Sequence, residues 1–405
     1  LADPRKLSES QARELIESTP PVTWLSYSVH GNEISSTEAA MATAYHLVAS
    51  TDDPVAKAAM EDTVTILVPV QNPDGRDRFV HHFEMTRGPV ADANMDSAEH
   101  NEPWPRGRTN HYLFDLNRDW FAQTQPEVRA HAKAFLEWMP VAFVDAHEMG
   151  SDSTYFFAPE AEPYNPLITD EQRASLIMFG KTNAKRFDHF GIDYFTREVF
   201  DAFYPGYGAS WPIYHGAIAM TYEQASARGL IATRYDGSQF TYAETVRNHF
   251  VASLATIETV AGNRQKLLQQ FYEYRRSAIE IGSKGKTKSY IFANDPVSDA
   301  GFLMARSLSQ QGIEVRRSVE GFRACGQSFD AGSYFLNLDQ PASRLIQTLL
   351  EEQVDLPADF LRQEIERSEK RQASQIYDVT AWSLPLMYGV KTNSCARLVA
   401  AKSEA

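Results

Sequence analysis

Three short pieces of the sequence combine residue types able to hold and use a metal ion: His30-Gly31-Asn32-Glu33, Val144-Asp145-Ala146-His147 and Thr221-Tyr222-Glu223. The first sets an imidazole and a carboxylate three residues apart, directly after the apolar run 22–28. The second closes the apolar run 141–144 with an imidazole, and the third closes the run 217–222 with a carboxylate. Two His and one Glu are a common ligand set for a catalytic zinc that leaves one coordination position to water. A further glutamate beside that water can serve as general base. The pattern predicts zinc-dependent hydrolysis.

Each candidate stands where a strand would end. Apolar runs at 22–28, 64–70 and 141–144 predict buried strands. Stretches at 8–18, 35–48, 125–138, 169–190, 242–261 and 265–281 predict helices, that at 35–48 opened by capping residues. Gln71-Asn72-Pro73-Asp74-Gly75 is a turn signal. The stretch 87–110, rich in Pro, Asn, Asp, Glu and Gly, predicts a long irregular loop, and loops of that length are usually functional or mobile. Strands alternating with helices predict an α/β architecture around a largely buried sheet. Such sheets bind ligands outside the carboxyl ends of their strands. The basic, polar stretch 283–288 predicts a boundary between a catalytic unit at 1–282 and a small α/β module at 289–405 that carries no catalytic signature.

Composition narrows the function classes. At 405 residues the chain exceeds the usual single-core size, and 43% apolar with 23% charged residues is ordinary for a globular protein. A net charge of −14 leaves no basic stripe for a nucleic-acid backbone. No run of about 18 apolar residues predicts a membrane span, and residues 1–6 do not read as a signal peptide. Cys325 and Cys395 could pair, but two widely spaced cysteines identify no redox compartment.

His30-Gly31-Asn32-Glu33 is followed in order by Asn72-Pro73-Asp74-Gly75-Arg76, Asp115-Leu116-Asn117-Arg118-Asp119-Trp120, His147 and Glu223. In this ordered set the chain resembles the zinc carboxypeptidase family typified by carboxypeptidases A and B, over roughly residues 20–280. The resemblance implies a mixed, mostly parallel sheet sandwiched by helices, one zinc ion held by His30, Glu33 and His147, and Glu223 as general base and acid. It implies a peptide or peptide-like substrate whose terminal carboxylate is gripped by Asn117 and Arg118. A planar guanidinium can hold a carboxylate through two parallel hydrogen bonds. Asp115 matches the family's outer carboxylate, which orients a ligand imidazole through its second N–H, with Asp145 the local competitor for that role toward His147. The oxyanion-stabilising arginine falls on Arg108, with Arg106 as rival. The mobile substrate-capping tyrosine falls on Tyr204, with Tyr207 as rival. Family members of this organisation are often secreted or periplasmic.

Several features depart from the family pattern. Asp119 stands where asparagine usually follows the arginine, which adds negative charge near the carboxylate pocket and either weakens binding of a free C-terminus or favours a substrate carrying an amine. The stretch 207–211 lacks the acidic residue that selects Lys or Arg in basic-specific relatives, although Asp201 lies close in sequence. His30 comes early, so an N-terminal portion with further strands is expected to be missing, leaving an exposed sheet edge.

The leading expectation is a zinc-dependent exopeptidase that removes C-terminal residues from peptides. Asp119 and the unusual pocket keep open an amidase or deacylase acting on cell-wall peptides or N-acyl amino acids. A zinc-holding binding module with lapsed catalysis is the third reading, and an intact Glu223 argues against it. His46, His81, His82, His100 and His111 lack ligand spacing and read as packed or surface residues.

Overall fold

The computed structural model describes residues 1–404 except Pro296 and Thr380. Strands β1 (Val22–Tyr27), β2 (Val64–Val68), β3 (Ala142–Met149), β4 (Tyr155–Phe156), β5 (Ala161–Tyr164), β6 (Asp201–Ala202) and β7 (Ile218–Ala225) alternate with helices. These are α1 (Glu9–Ser18), α2 (Ser35–Ala49), α3 (Pro54–Asp62), α4 (Pro73–Thr86), α5 (Pro126–Trp138) and α6 (Asp170–Phe190). The central sheet runs β2-β1-β3-β7-β4, with the first four strands parallel and β4 antiparallel to β7. β5 and β6 pair separately. The architecture is the mixed, mostly parallel sheet between helices that the family resemblance implies.

Both faces of this sheet are covered, which is why β1, β3 and β7 are nearly continuous apolar runs rather than alternating ones. Helix α7 (Tyr242–Gly262) covers one face, where the Tyr27 and Ser253 hydroxyls meet at 2.8 Å. On the other face Phe143 packs among Trp24, Trp120 and Phe135 of α5. Helix α8 (Arg264–Lys284) follows α7 directly, broken at Asn263.

Within residues 1–282 two helices lie outside the predicted set, α3 and α4. Gln71 to Gly75 is not a free turn: the Asn72 side chain accepts a hydrogen bond from the Gly75 N–H at 2.9 Å, with Pro73 in the first helical turn. Asparagine and proline serve turns and helix starts alike, and the amphipathic signal after them is weak. β3 and β7 run on past the apolar runs, to Met149 and Ala225, because both continue in register beside the site.

A hairpin of β8 (Ile231–Thr233) and β9 (Gln239–Thr241) precedes α7. After α8 come β10 (Ser289–Phe292), α9 (Ala300–Gln310), β11 (Arg316–Ser318), β12 (Phe322–Ala324), β13 (Gln327–Phe329) and β14 (Tyr334–Asn337). They are followed by α10 (Ser343–Leu350), α11 (Ala358–Glu369), α12 (Leu384–Tyr388), β15 (Thr392–Cys395) and β16 (Ser403–Glu404). A second sheet, β15-β10-β14-β11-β16, is antiparallel throughout. Cys325 and Cys395 are joined in a disulfide. The apolar core passes without a break from Trp211 and Phe143 to Met304, Leu308 and Leu345. Where they meet, the Trp211 indole donates to Gln311 at 2.9 Å, and Gln311 donates to the Phe121 carbonyl at 2.9 Å.

Candidate metal centre

Parallel pairing brings chain-distant pieces to one end of the sheet. β1 ends at Tyr27, and the chain turns at Ser28, whose φ of 57° is left-handed, to set His30 and Glu33 above the strand ends. A Cβ on Gly31 would collide with the backbone of Gly75 and Arg76, so glycine alone lets this turn seat on the start of α4. His30 Nδ1 lies 2.6 Å from Glu33 Oε1, and His147 Nδ1 lies 3.0 Å from Glu33 Oε2. One ligand atom from each of the three falls within 4.8 Å of the others. Among the described residues no other such group of His, Cys, Asp or Glu occurs. Two imidazole nitrogens and a carboxylate converging in a buried place suit zinc. Burial alone would raise the Glu33 carboxyl, but the flanking imidazoles of His30 and His147 outweigh it and hold the group well below the usual range.

Each imidazole has its own aspartate behind it. His30 Nε2 lies 3.1 Å from Asp115 Oδ1, which also accepts from the Asn117 N–H at 2.9 Å. Burial opposes ionisation of Asp115, yet His30, Arg108 and Arg118 bring its carboxyl far below the ordinary range. His147 Nε2 lies 3.0 Å from Asp145 Oδ2, at ion-pair distance but out of line for a hydrogen bond. Asp145 Oδ1 accepts from the Gln71 side chain at 3.0 Å. Asp115 thus stands hydrogen-bonded behind His30 and Asp145 stands as a charge beside His147, and both Nδ1 atoms are directed at Glu33.

Glu223 sits opposite His147 in the β3–β7 register and is buried. Burial lifts its carboxyl above the ordinary carboxylate range; His147 pulls against this and Glu33 adds to it. Arg108 reaches the centre from the long loop, donating through Nε to Asp115 Oδ2 at 3.0 Å, with Nη1 3.3 Å from His30 Nδ1. Arg106 lies on the surface, so of the two rivals Arg108 stands at the centre.

A cavity of about 350 Å³ opens over these groups and is also lined by Asn117, Arg118, Asp201, Tyr207, Thr221 and Tyr377. Asn117 has both ends engaged: Oδ1 accepts from the Gly208 N–H at 2.7 Å and Nδ2 lies 3.2 Å from His147 Nε2. Tyr204 donates its hydroxyl to the Arg118 carbonyl at 2.7 Å and packs its ring on Phe121, Tyr207 and Trp382, so it does not line the cavity. Tyr207 does line it, with a hydroxyl that lacks a hydrogen-bond partner. Of the two rivals, Tyr207 and not Tyr204 lines the cavity. Asp119 faces away from the cavity, accepting from the Thr124 and Gln125 N–H groups at 2.9 and 2.7 Å just before α5, so it adds no charge to the carboxylate pocket. Burial lifts the Asp201 carboxyl to about 6 and that of the neighbouring Glu160 to about 7.

Sequence reasoning missed Tyr377 and Asp378. Arg118 donates through Nε to Asp378 Oδ2 at 2.8 Å and through Nη2 to the same oxygen. No local motif marks these residues, which stand in an irregular stretch after α11.

No curated protein matches the chain. Among solved structures, a metallo-carboxypeptidase from Burkholderia cenocepacia is similar at 18% identity, covering 60% of this chain and 58% of its own, with a TM-score of 0.43. A metallo-carboxypeptidase from Pseudomonas aeruginosa, in complex with (2-guanidinoethylmercapto)succinic acid, is similar at 18% identity over 62% of this chain and 59% of its own (TM-score 0.44). Carboxypeptidase A from Helicoverpa armigera shows 17% identity over 66% and 64%, with a TM-score of 0.41. The chain thus spans less than two thirds of the length of each of these enzymes. The family model described as zinc carboxypeptidase matches residues 6–244, more than half of the sequence, and the chain belongs to that family.

Proposed function

We propose that the protein is a zinc-dependent metallocarboxypeptidase that hydrolyses the C-terminal bond of peptides. The observation that carries this reading is the convergence of His30 Nδ1 and His147 Nδ1 on Glu33, with Glu223 facing His147 across the strand pair. Zinc held by His30, Glu33 and His147 would lower the pKa of bound water to about 7 and polarise the scissile carbonyl. Glu223, lifted above the ordinary carboxylate range by burial, is suited to take a proton from water and return it to the leaving nitrogen. Arg108 directs its guanidinium at the same place and would hold the developing oxyanion. Arg118 and Asn117 would receive the terminal carboxylate, and Tyr207 would pack against the terminal residue.

In this proposal residues 1–282 form the catalytic unit, and the module at 289–405 contributes Tyr377 to the cleft wall and Asp378 as the partner of Arg118. A secreted or periplasmic location belongs to the same proposal and is favoured by the Cys325–Cys395 disulfide, since such bonds persist in oxidising compartments. No helix among the described residues is long and apolar enough to cross a membrane.

A second reading keeps the metal chemistry and changes the substrate to an amide of a cell-wall peptide or an N-acyl amino acid. The observation favouring it is that Asp378 already engages Arg118, leaving less room for a free terminal carboxylate. Mass spectrometry of a peptide pool offered with free and with amidated C-termini separates the two. Shortening of only the free-ended peptides by the zinc-loaded protein, lost in Glu223→Gln, supports the carboxypeptidase reading. Hydrolysis of amide substrates with no shortening of linear peptides overturns it in favour of the second.

A further inference from the structure

We infer that Asp378 is a specificity-determining residue: its carboxylate stands on Arg118 where a substrate's terminal carboxylate would stand, so a free-acid substrate must displace it. The inference rests on the reading of Arg118 as the carboxylate anchor.

The donors of Arg118 are already engaged. Nε lies 2.8 Å from Asp378 Oδ2 and Nη2 donates to the same atom, so the edge of the guanidinium fork that grips carboxylates holds one. Nη1 donates to the Asn117 carbonyl at 3.0 Å, and the guanidinium lies 4.8 Å above the Tyr207 ring. Nothing about this pairing is local, since 260 residues separate the partners.

The stretch 374–379 is strapped across the cleft by contacts on either side. Before Tyr377, Glu364 of α11 accepts from the Ser374 hydroxyl at 2.6 Å and from the Gln375 N–H at 3.1 Å. In the middle, the Tyr377 ring stands 5.3 Å from Phe200 and 6.2 Å from Tyr207. Beyond it, the Trp382 indole donates to the Thr348 carbonyl at 2.7 Å, and its ring packs 5.4 Å from Phe203. The Arg118–Asp378 contact itself is partly open to solvent, with side-chain exposures of 23% and 37%. Partly exposed ion pairs are weak and screened by salt. A carboxylate ligand can therefore exchange with Asp378 on Arg118, whereas an amide, lacking the charge, leaves the strap in place.

The test uses the full chain, zinc-loaded, carrying Glu223→Gln so that probes are bound but not hydrolysed. The probes are benzoyl-glycyl-phenylalanine and its C-terminal amide. Hydrogen–deuterium exchange of residues 374–379 should accelerate on binding the acid and stay unchanged on binding the amide. By calorimetry, adding Asp378→Asn should tighten the acid about fivefold, the worth of a partly exposed ion pair, and leave the amide within about twofold. Adding Arg118→Gln instead should abolish the preference for the acid. Acid binding that depends on Arg118 but neither speeds exchange in the strap nor tightens in Asp378→Asn overturns the inference and leaves the carboxypeptidase reading intact. Failure of both probes to bind, with or without Asp378, overturns both.

Discussion

His147 and Glu223 are register partners on the adjacent parallel strands β3 and β7. This pairing holds an imidazole of the candidate metal group and a carboxylate raised by burial side by side on strand backbone rather than on loops. For Glu223→Gln we expect turnover to fall by about 10²–10⁴-fold, the range typical of a lost general base, with zinc content unchanged. Kinetics on a free-ended peptide, together with elemental analysis for zinc, check this. Loss of zinc along with activity would assign Glu223 to the ligand set instead.

Asp145 is fully buried behind His147 and is itself held by Gln71. Outer carboxylates of this kind set the tautomer and basicity of a ligand imidazole. Asp145→Asn is therefore expected to weaken zinc binding by about 10- to 100-fold. Competition against a chelator of known affinity measures it, and an unchanged affinity would show that His147 needs no such support.

Glu160 is buried and its carboxyl is raised from 4.5 to about 7, chiefly by desolvation. Below about pH 4.5 folded and unfolded chains both hold the proton, and the stability this group contributes is fully present. As pH rises through about 7 the unfolded chain has released a proton that the folded chain retained, so that stability is lost. Glu160→Gln should flatten this slope and be more stable than the parent at pH 8, by up to about 3 kcal/mol. Urea unfolding of the zinc-loaded proteins at pH 5 and pH 8 provides the comparison; parallel curves for the two proteins would refute it.

Tyr204 and Tyr207 separate by what their hydroxyls touch. Removing the Tyr204 hydroxyl as Tyr204→Phe deletes the bond to the Arg118 carbonyl and should lower stability by about 1 kcal/mol. The Tyr207 hydroxyl is buried without a hydrogen-bond partner while its residue lines the cavity, so Tyr207→Phe should not lower stability and should raise KM for peptides. Melting temperatures and Michaelis parameters on the same preparations distinguish the two, and the reverse pattern would restore Tyr204 to the substrate.

The candidate site was legible in the sequence because its information is local. His30 and Glu33 share one turn, and His147 and Glu223 each follow an apolar run whose end marks the end of a buried strand. Buried parallel strands must be apolar along their length, so a charged or imidazole side chain at their close stands out. The helices α3 and α4 were not legible, because capping residues alone do not tell a turn from a helix start.

Tertiary structure alone decided the partners. Asp115 went to His30 and Asp145 to His147, Arg108 rather than Arg106 reached the centre, and Asp119 turned away to the start of α5. Above all, Asp378 came to Arg118 from the far part of the chain. A sequence records which groups carry charge and which backbone will bury them. Which charges meet depends on how separate elements pack, and no spacing along the chain encodes that when the partners stand on different elements far apart in sequence.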